Sequence, residues 1–199
     1  MKNLLTNKET NKTYIITFTG ILSALAIVLM LFVHIPLFPP AAWLEYDLAD
    51  IPILLTTFLI NPIAGFIVLL VVSAIQAVTV SASSGIIEFI MHVVASGVML
   101  FVSGIIFSLF EKGKKDKKRL FVGLALGLIL GGLLMAAIML PLNVIFTPML
   151  TGMPKEAVID MLVPFILPFN LIKAGVNCVV TYILYFVIKP FFNKLIYKR

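Results

Sequence analysis

Six apolar segments run the length of this chain, and its charged side chains are almost confined to the breaks between them. The segments are Tyr14 to Ile35, Ile51 to Ile60, Pro62 to Val80, Gly85 to Phe110, Leu120 to Leu142 and Pro164 to Ile188. A helix needs about 20 apolar residues to cross a bilayer, so six crossings use up nearly all of the 199 residues. The chain is 61% hydrophobic and 12% charged, with a mean hydropathy of +1.15. Soluble domains run at roughly 45–50% apolar and about 25% charged. The reading is an all-α integral membrane protein, a single transmembrane domain of six helices in the lipid bilayer. It excludes a soluble enzyme, a nucleic-acid-binding domain and an added extramembrane domain. The first segment exceeds the length of a signal-peptide core and is read as a retained span. The second is the unusual one. Ten residues rise only about 15 Å as a helix, against a hydrocarbon thickness of about 30 Å. It must recruit flanking residues, lie partly buried, or cross a thinned region.

The net charge of +6 comes from three basic clusters. The N-terminal tail holds Lys2, Lys8 and Lys12; residues 111–119 hold six Lys and Arg; the C-terminal end holds Lys189, Lys194, Lys198 and Arg199. With six crossings all three clusters fall on one side, which the positive-inside bias makes the cytoplasm. Both termini are thus expected inside a cell membrane, with the lysine-rich break near anionic headgroups. Loop 36–50, with Glu45, Asp47 and Asp50, and loop 143–163 then face outward. Asn61-Pro62 reads as a tight inside turn, Asn as N-cap and Pro in the first helical turn. Asp50 reads likewise as the N-cap of the second helix, ahead of Pro52. Cys178, the single cysteine, reads as a small apolar filler.

Polar residues inside the apolar segments are the candidates for function. Lys173 lies about nine residues into the sixth segment, where a charge costs on the order of 2.5–3.5 kcal/mol on insertion scales unless it meets a cavity or partner. Asn170, Lys173 and Asn177 share one helical face. They form either a wall of a ligand pocket or a structural polar cluster. Glu88 and His92, four apart, are a metal or proton site or else a hydrogen-bonded interhelical pair lining the same cavity. They supply too few ligands for zinc, so no metal and no cofactor is assigned. Asn143 sits at a depth from which it could meet Asn170 and Lys173. Gly123, Gly127 and Gly131 form a small-residue stripe, and Gly20 and Ala24 a shorter one. Such stripes serve internal helix contact or docking of a separate membrane subunit. The chain has no G-x-x-x-x-G-K-[ST] phosphate loop and no G-x-S-x-G nucleophile motif. No enzyme activity is expected, and active transport would need a partner or an ion gradient for energy.

Three stretches carry a resemblance: LEYDLADIPILL (44–55), LPFNLIKAG (167–175) and SALAIVLML (23–31). Together they resemble the riboflavin-specific S-components of energy-coupling factor (ECF) vitamin transporters of bacterial membranes. The resemblance implies the six-helix S-component bundle and an outward-facing riboflavin pocket partly closed by loop 36–50. It implies that Asn170 and Lys173 contact the flavin, with Asn143 beside them, and that Leu48 and Ala49 face the ring. It further implies that Gly20, Ser23 and Ala24 on the first helix dock on a transmembrane coupling subunit, which works with two cytoplasmic ATPases. An S-component for another vitamin, such as thiamine, and a non-transporting membrane scaffold are the alternatives.

Overall fold

The computed structural model describes residues 12–82, 85–111 and 117–196. Helix α1 (Lys12–Phe32) leads into a hairpin, β1 (Ile35–Pro36) and β2 (Glu45–Tyr46), joined through a 3₁₀ turn at Pro39–Ala41. The two short strands are antiparallel, Ile35 opposite Tyr46. Then follow α2 (Asp50–Leu59), α3 (Pro62–Val78), α4 (Gly85–Glu111) and α5 (Lys117–Thr151). Helix α6 (Lys155–Met161), a π-helical turn (Leu162–Ile166) and α7 (Leu167–Ile196) form one continuous run. Helices α1, α4, α5 and the α6–α7 run are long and apolar enough to cross a membrane; α2 and α3 are shorter and apolar. The protein is a six-helix membrane bundle, with α6 the lead-in to the sixth.

Burial accounts for the short second helix. Every α2 residue from Asp50 to Phe58 is buried, and the helix is packed among α1, α3, α4 and α7. A helix wrapped in protein need not match the thickness of the lipid. Its junction with α3 forms as the sequence predicts: Asn61 Oδ1 accepts from Ala64 N at 2.8 Å, and Pro62 occupies the first turn. Asp50 does not cap α2. The N-cap position is Ala49, with no side-chain capping bond. Asp47 instead accepts from Ala49 N at 2.9 Å, which leaves Asp50 free to turn inward.

The glycine stripe of α5 is internal. A Cβ on Gly127 would lie 2.7 Å from the Ser103 carbonyl oxygen of α4, and one on Gly131 2.6 Å from that of Met99. Ser103 Oγ donates to Gly127 O at 3.0 Å across the same contact. Between lipid-soaked helices, close backbone approach of this kind replaces the hydrophobic effect as the source of adhesion. Gly132 adds a contact with Cys178, whose thiol lies 3.2 Å from Leu128 O.

One segment runs longer than its hydropathy predicts. Helix α5 passes Leu142 through Pro141 and Pro148 to Thr151. It stops at Gly152, whose φ of 72° suits the left-handed position after a helix end. Most of the expected outer loop 143–163 is therefore helix. Proline removes one intrahelical bond but does not end a helix held by its neighbours.

The two ends of the bundle differ. At the end holding the α2–α3 turn, rings close the interior. Phe58, Phe107 and Tyr185 meet edge to face, and Phe121 stacks on Phe186. Lys189 bonds the Tyr185 hydroxyl and lies 4.8 Å from its ring centre. The expected basic clusters lie at this end as far as Lys12, Lys117, Lys118, Arg119, Lys189 and Lys194. The remaining members, Lys2, Lys8, Lys112, Lys114, Lys115, Lys198 and Arg199, fall outside the described residues.

Candidate functional site

At the opposite end the helices part around a cavity of about 390 Å³, within the range of small-molecule sites. Five structural pieces wall it: the hairpin, the C-terminal end of α3, the N-terminal half of α4, the C-terminal half of α5 and the start of α7. Its apolar surface comes from residues such as Met91, Met135, Met139 and Phe169, and its polar surface from side chains that converge from every wall.

Lys173 enters from α7. Its Nζ donates to Asp47 Oδ2 at 2.8 Å, and both side chains are about nine-tenths buried (11% and 7% exposed). Asn170, one turn earlier, donates from Nδ2 to Ile166 O at 2.8 Å inside the π-helical turn. That bond fixes the orientation of the amide. Asn143 reaches the cavity from α5, donating to Met139 O and accepting from Thr147 Oγ1, both at 2.8 Å. Asn170, Lys173 and Asn143 thus line one space, together with Glu88 and His92.

Glu88 and His92 are bound into the walls. Ser81 donates to Glu88 Oε2. His92 Nδ1 lies 3.1 Å from Ser73 Oγ, and its Nε2 lies 3.4 Å from Asp50 Oδ1. Asn177 takes a different place from Asn170 and Lys173. It is fully buried, accepts from the Tyr46 hydroxyl at 2.9 Å and donates to Asp50 Oδ2 at 3.2 Å. It is absent from the cavity wall and forms part of the network behind it. Leu48 and Ala49 are likewise absent from the wall. Ala49 is buried in the core, and Leu48 is packed between the two apolar clusters. Burial pushes the Tyr46 phenol up to about 12, so it stays protonated and keeps donating.

Four residues that sequence reasoning missed, His34, Trp43, Gln76 and Ser96, join Asn170 to complete the site. Six buried side-chain polar atoms find no hydrogen-bond partner among the described residues. Five belong to cavity-lining residues: His34 Nε2, Trp43 Nε1, Gln76 Oε1, Ser96 Oγ and Asn170 Oδ1. Buried polar groups are nearly always paired in folded proteins. Their collection around one cavity marks where a polar molecule would complete the bonding. Among the described residues there is no group of three or more His, Cys, Asp or Glu that could hold a metal ion.

On α1, a Cβ on Gly20 would meet nothing within 4 Å. Gly20 and Ala24 are exposed and Ser23 half-buried, its hydroxyl donating to Thr19 O at 2.8 Å. The short stripe of α1 therefore lies on the outside of the bundle, unlike that of α5.

Comparison with known proteins agrees with this architecture. Residues 15–185 match the family described as "ECF transporter, substrate-specific component". The chain is 29% identical over 182 residues to the Riboflavin transporter FmnP of Bacillus subtilis (strain 168), covering 88% of this chain and 92% of that one. It also superposes on a solved structure of the S component of a bacterial ECF transporter. The TM-score is 0.73 and the identity 28%, over 92% of this chain and all of the other. With its helical bundle, its cavity and a family match over most of its length, the chain belongs to the substrate-specific components (S-components) of ECF transporters.

Proposed function

We propose that this S-component captures riboflavin from outside the cell and delivers it through an ATP-driven ECF importer. The observation that carries the reading is the collection of unpaired polar atoms and one buried lysine around a single cavity of about 390 Å³. A flavin ring brings carbonyl oxygens, ring nitrogens and one N–H, and a ribityl chain brings hydroxyls. Asn170, Asn143 and Lys173 offer amide and ammonium groups that match the ring, and hydrogen bonds to charged groups contribute about 1.5–3 kcal/mol each. Methionine and phenylalanine side chains supply cover for the ring faces. The similarity to a riboflavin transporter supports the choice of vitamin.

In this reading the basic residues at the aromatic end, through the positive-inside bias, favour a cytoplasmic position for that end and both termini. The cavity then opens outward in the bacterial cell membrane. The exposed Gly20–Ala24 face of α1, with Ser23 beside it, is the docking face for the transmembrane coupling subunit, and two cytoplasmic ATPases supply the energy. The chain itself performs no chemistry on the vitamin.

The test is titration of the detergent-purified protein with riboflavin, followed by flavin fluorescence. Quenching at submicromolar ligand is expected, with binding weakened at least tenfold in Lys173→Ala and Asn170→Ala and unchanged in Lys117→Ala. Unaltered fluorescence at micromolar riboflavin would defeat the reading. A different small molecule carried through purification and identified by mass spectrometry would point to another vitamin. No ligand at all, with Lys173→Ala failing to fold, would point to a scaffold.

A further inference from the structure

We propose that the π-helical turn at Leu162–Ile166 is a positioning element of the binding site. Its one extra residue brings Val158, which packs in the hairpin's apolar cluster, onto the same helical face as Asn170, and so presents the unpartnered Asn170 Oδ1 to the ligand. The inference rests on the riboflavin reading above and adds to it residues that do not line the cavity.

Residues 155–196 are helical without a break, yet the bonding changes within them. Leu167 N–H donates to Leu162 O, five residues back, where an α-helix reaches back four. Such a turn holds one residue more than an α-helical turn, so the helix before it is rotated by about 100° against the helix after it. The buried residues show the effect of that rotation. Val158 is the one buried residue of α6, and it joins Ala41, Leu44, Tyr46, Ile166 and Phe169 in a single apolar cluster. Asn170, twelve residues further on, is buried and lines the cavity. At about 3.6 residues per turn an unbroken α-helix would set these two side chains about 120° apart; with the extra residue they fall about 20° apart. The residue count lets one helix hold the hairpin and face the ligand on the same side.

The sequence supplies the cause of the wider turn. Pro164 has no N–H to give the Asp160 carbonyl, and its ring crowds that carbonyl. Pro168, one turn on, has none to give Pro164. With these α-helical bonds removed, the backbone takes the longer bond from Leu167 to Leu162. Val163 is 75% exposed and Pro164 is exposed, so neither serves the core. Asn170 is fastened to the turn directly, Nδ2 donating at 2.8 Å to the carbonyl of Ile166, its last residue. Oδ1 is left buried and without a partner among the described residues, on a side chain that lines the cavity. A hydroxyl or N–H of the ligand completes such an acceptor. Without the extra residue, Val158 and Asn170 could not both keep these places.

The experiment deletes Val163 from the full-length protein and measures riboflavin binding by fluorescence titration in detergent. The deletion should weaken binding at least tenfold while the size-exclusion profile stays that of folded protein. Val163→Ala, which keeps the count, should bind like the wild type. Inserting one alanine between Asp160 and Met161 of the deletion variant restores the count and should recover the affinity to within threefold. Asn170→Ala should cost at least tenfold in the wild type and less than twofold in the deletion variant, because both changes remove the same contact. Binding by the deletion variant within twofold of wild type, no recovery on insertion, or an undiminished effect of Asn170→Ala overturns the proposal and leaves the riboflavin reading standing. If the deletion variant does not fold, the double variant Pro164→Ala/Pro168→Ala supplies the second arm. It restores both N–H donors, and affinity should fall at least threefold; affinity within twofold of wild type overturns the proposal. A wild type that binds no riboflavin defeats the riboflavin reading and this inference with it.

Discussion

The hydroxyl of Tyr46 donates to Asn177 Oδ1 at 2.9 Å, a contact between residues 131 positions apart in the chain. It fastens strand β2 of the hairpin to the middle of α7, and Asn177 passes the connection on to Asp50 of α2. The hairpin over the cavity is therefore tied to α7 by polar contacts at residues 46 and 47, and through Asn177 to α2.

Tyr46→Phe removes the donor and leaves a buried carbonyl unpaired, a loss of about 1–3 kcal/mol. Thermal unfolding in detergent should show the lower midpoint. The same tyrosine predicts an alkaline effect. Its folded pKa is raised from 10.0 to about 12 by burial, so its contribution is fully present below pH 10 and lost as pH rises toward 12. Wild-type stability should fall more steeply than that of Tyr46→Phe across that window.

Asp50 is 1% exposed and faces His92 and Asn177. Removal of one member of a buried ionic or polar pair costs about 3–5 kcal/mol. Asp50→Ala should lower the yield of folded protein sharply. Asp50→Asn, which keeps the shape and an acceptor, should recover most of it, as read by size-exclusion profile and melting temperature.

The two small-residue stripes should respond in opposite ways. Gly131→Ala forces a methyl group to within 2.6 Å of the Met99 carbonyl oxygen, and overpacked cores lose about 1–3 kcal/mol. Gly20→Leu extends into open space and should leave folding and ligand binding unchanged. Co-purification with a coupling subunit should separate the two functions, with Gly20→Leu losing the partner while still binding flavin.

Lys173→Met breaks the 2.8 Å bond that holds Asp47. The hairpin should then open more often. Limited proteolysis between Pro36 and Glu45 should run severalfold faster than in the wild type, while cleavage near Lys117 stays unchanged.

Much of this fold could be read from local sequence. The apolar segments mark the helices, Asn61-Pro62 marks a turn, and the spacing of Asn170 and Lys173 places both on one wall of a cavity. The rest depended on pairings that local rules do not see. Asp50 has every mark of an N-cap, yet its partners lie 42 and 127 positions away. Asn177 shares the Lys173 face but is diverted to Tyr46. One sequence signal could have found Asp47: a lone lysine in an apolar helix needs a counter-charge, and loop 36–50 holds acids and no bases. Trp43 and Gln76 carried no such mark, because a single aromatic or amide residue fits a lipid-facing surface or an interface equally well. The helical path through Pro141, Pro148 and the π turn was hidden for a related reason. Proline reads as a breaker in water, where peptide groups have an alternative partner that lipid does not offer.

The complete enclosure of α2 also bears on how the protein is made. A ten-residue helix carrying a buried aspartate is a poor candidate for stable insertion by itself. It becomes secure only once α1, α3, α4 and α7 surround it, and α7 is the last of these to leave the ribosome. Assembly of the binding chamber is therefore postponed until synthesis is almost finished, and a chain truncated before α7 would have no enclosing wall for α2 and no lysine for Asp47.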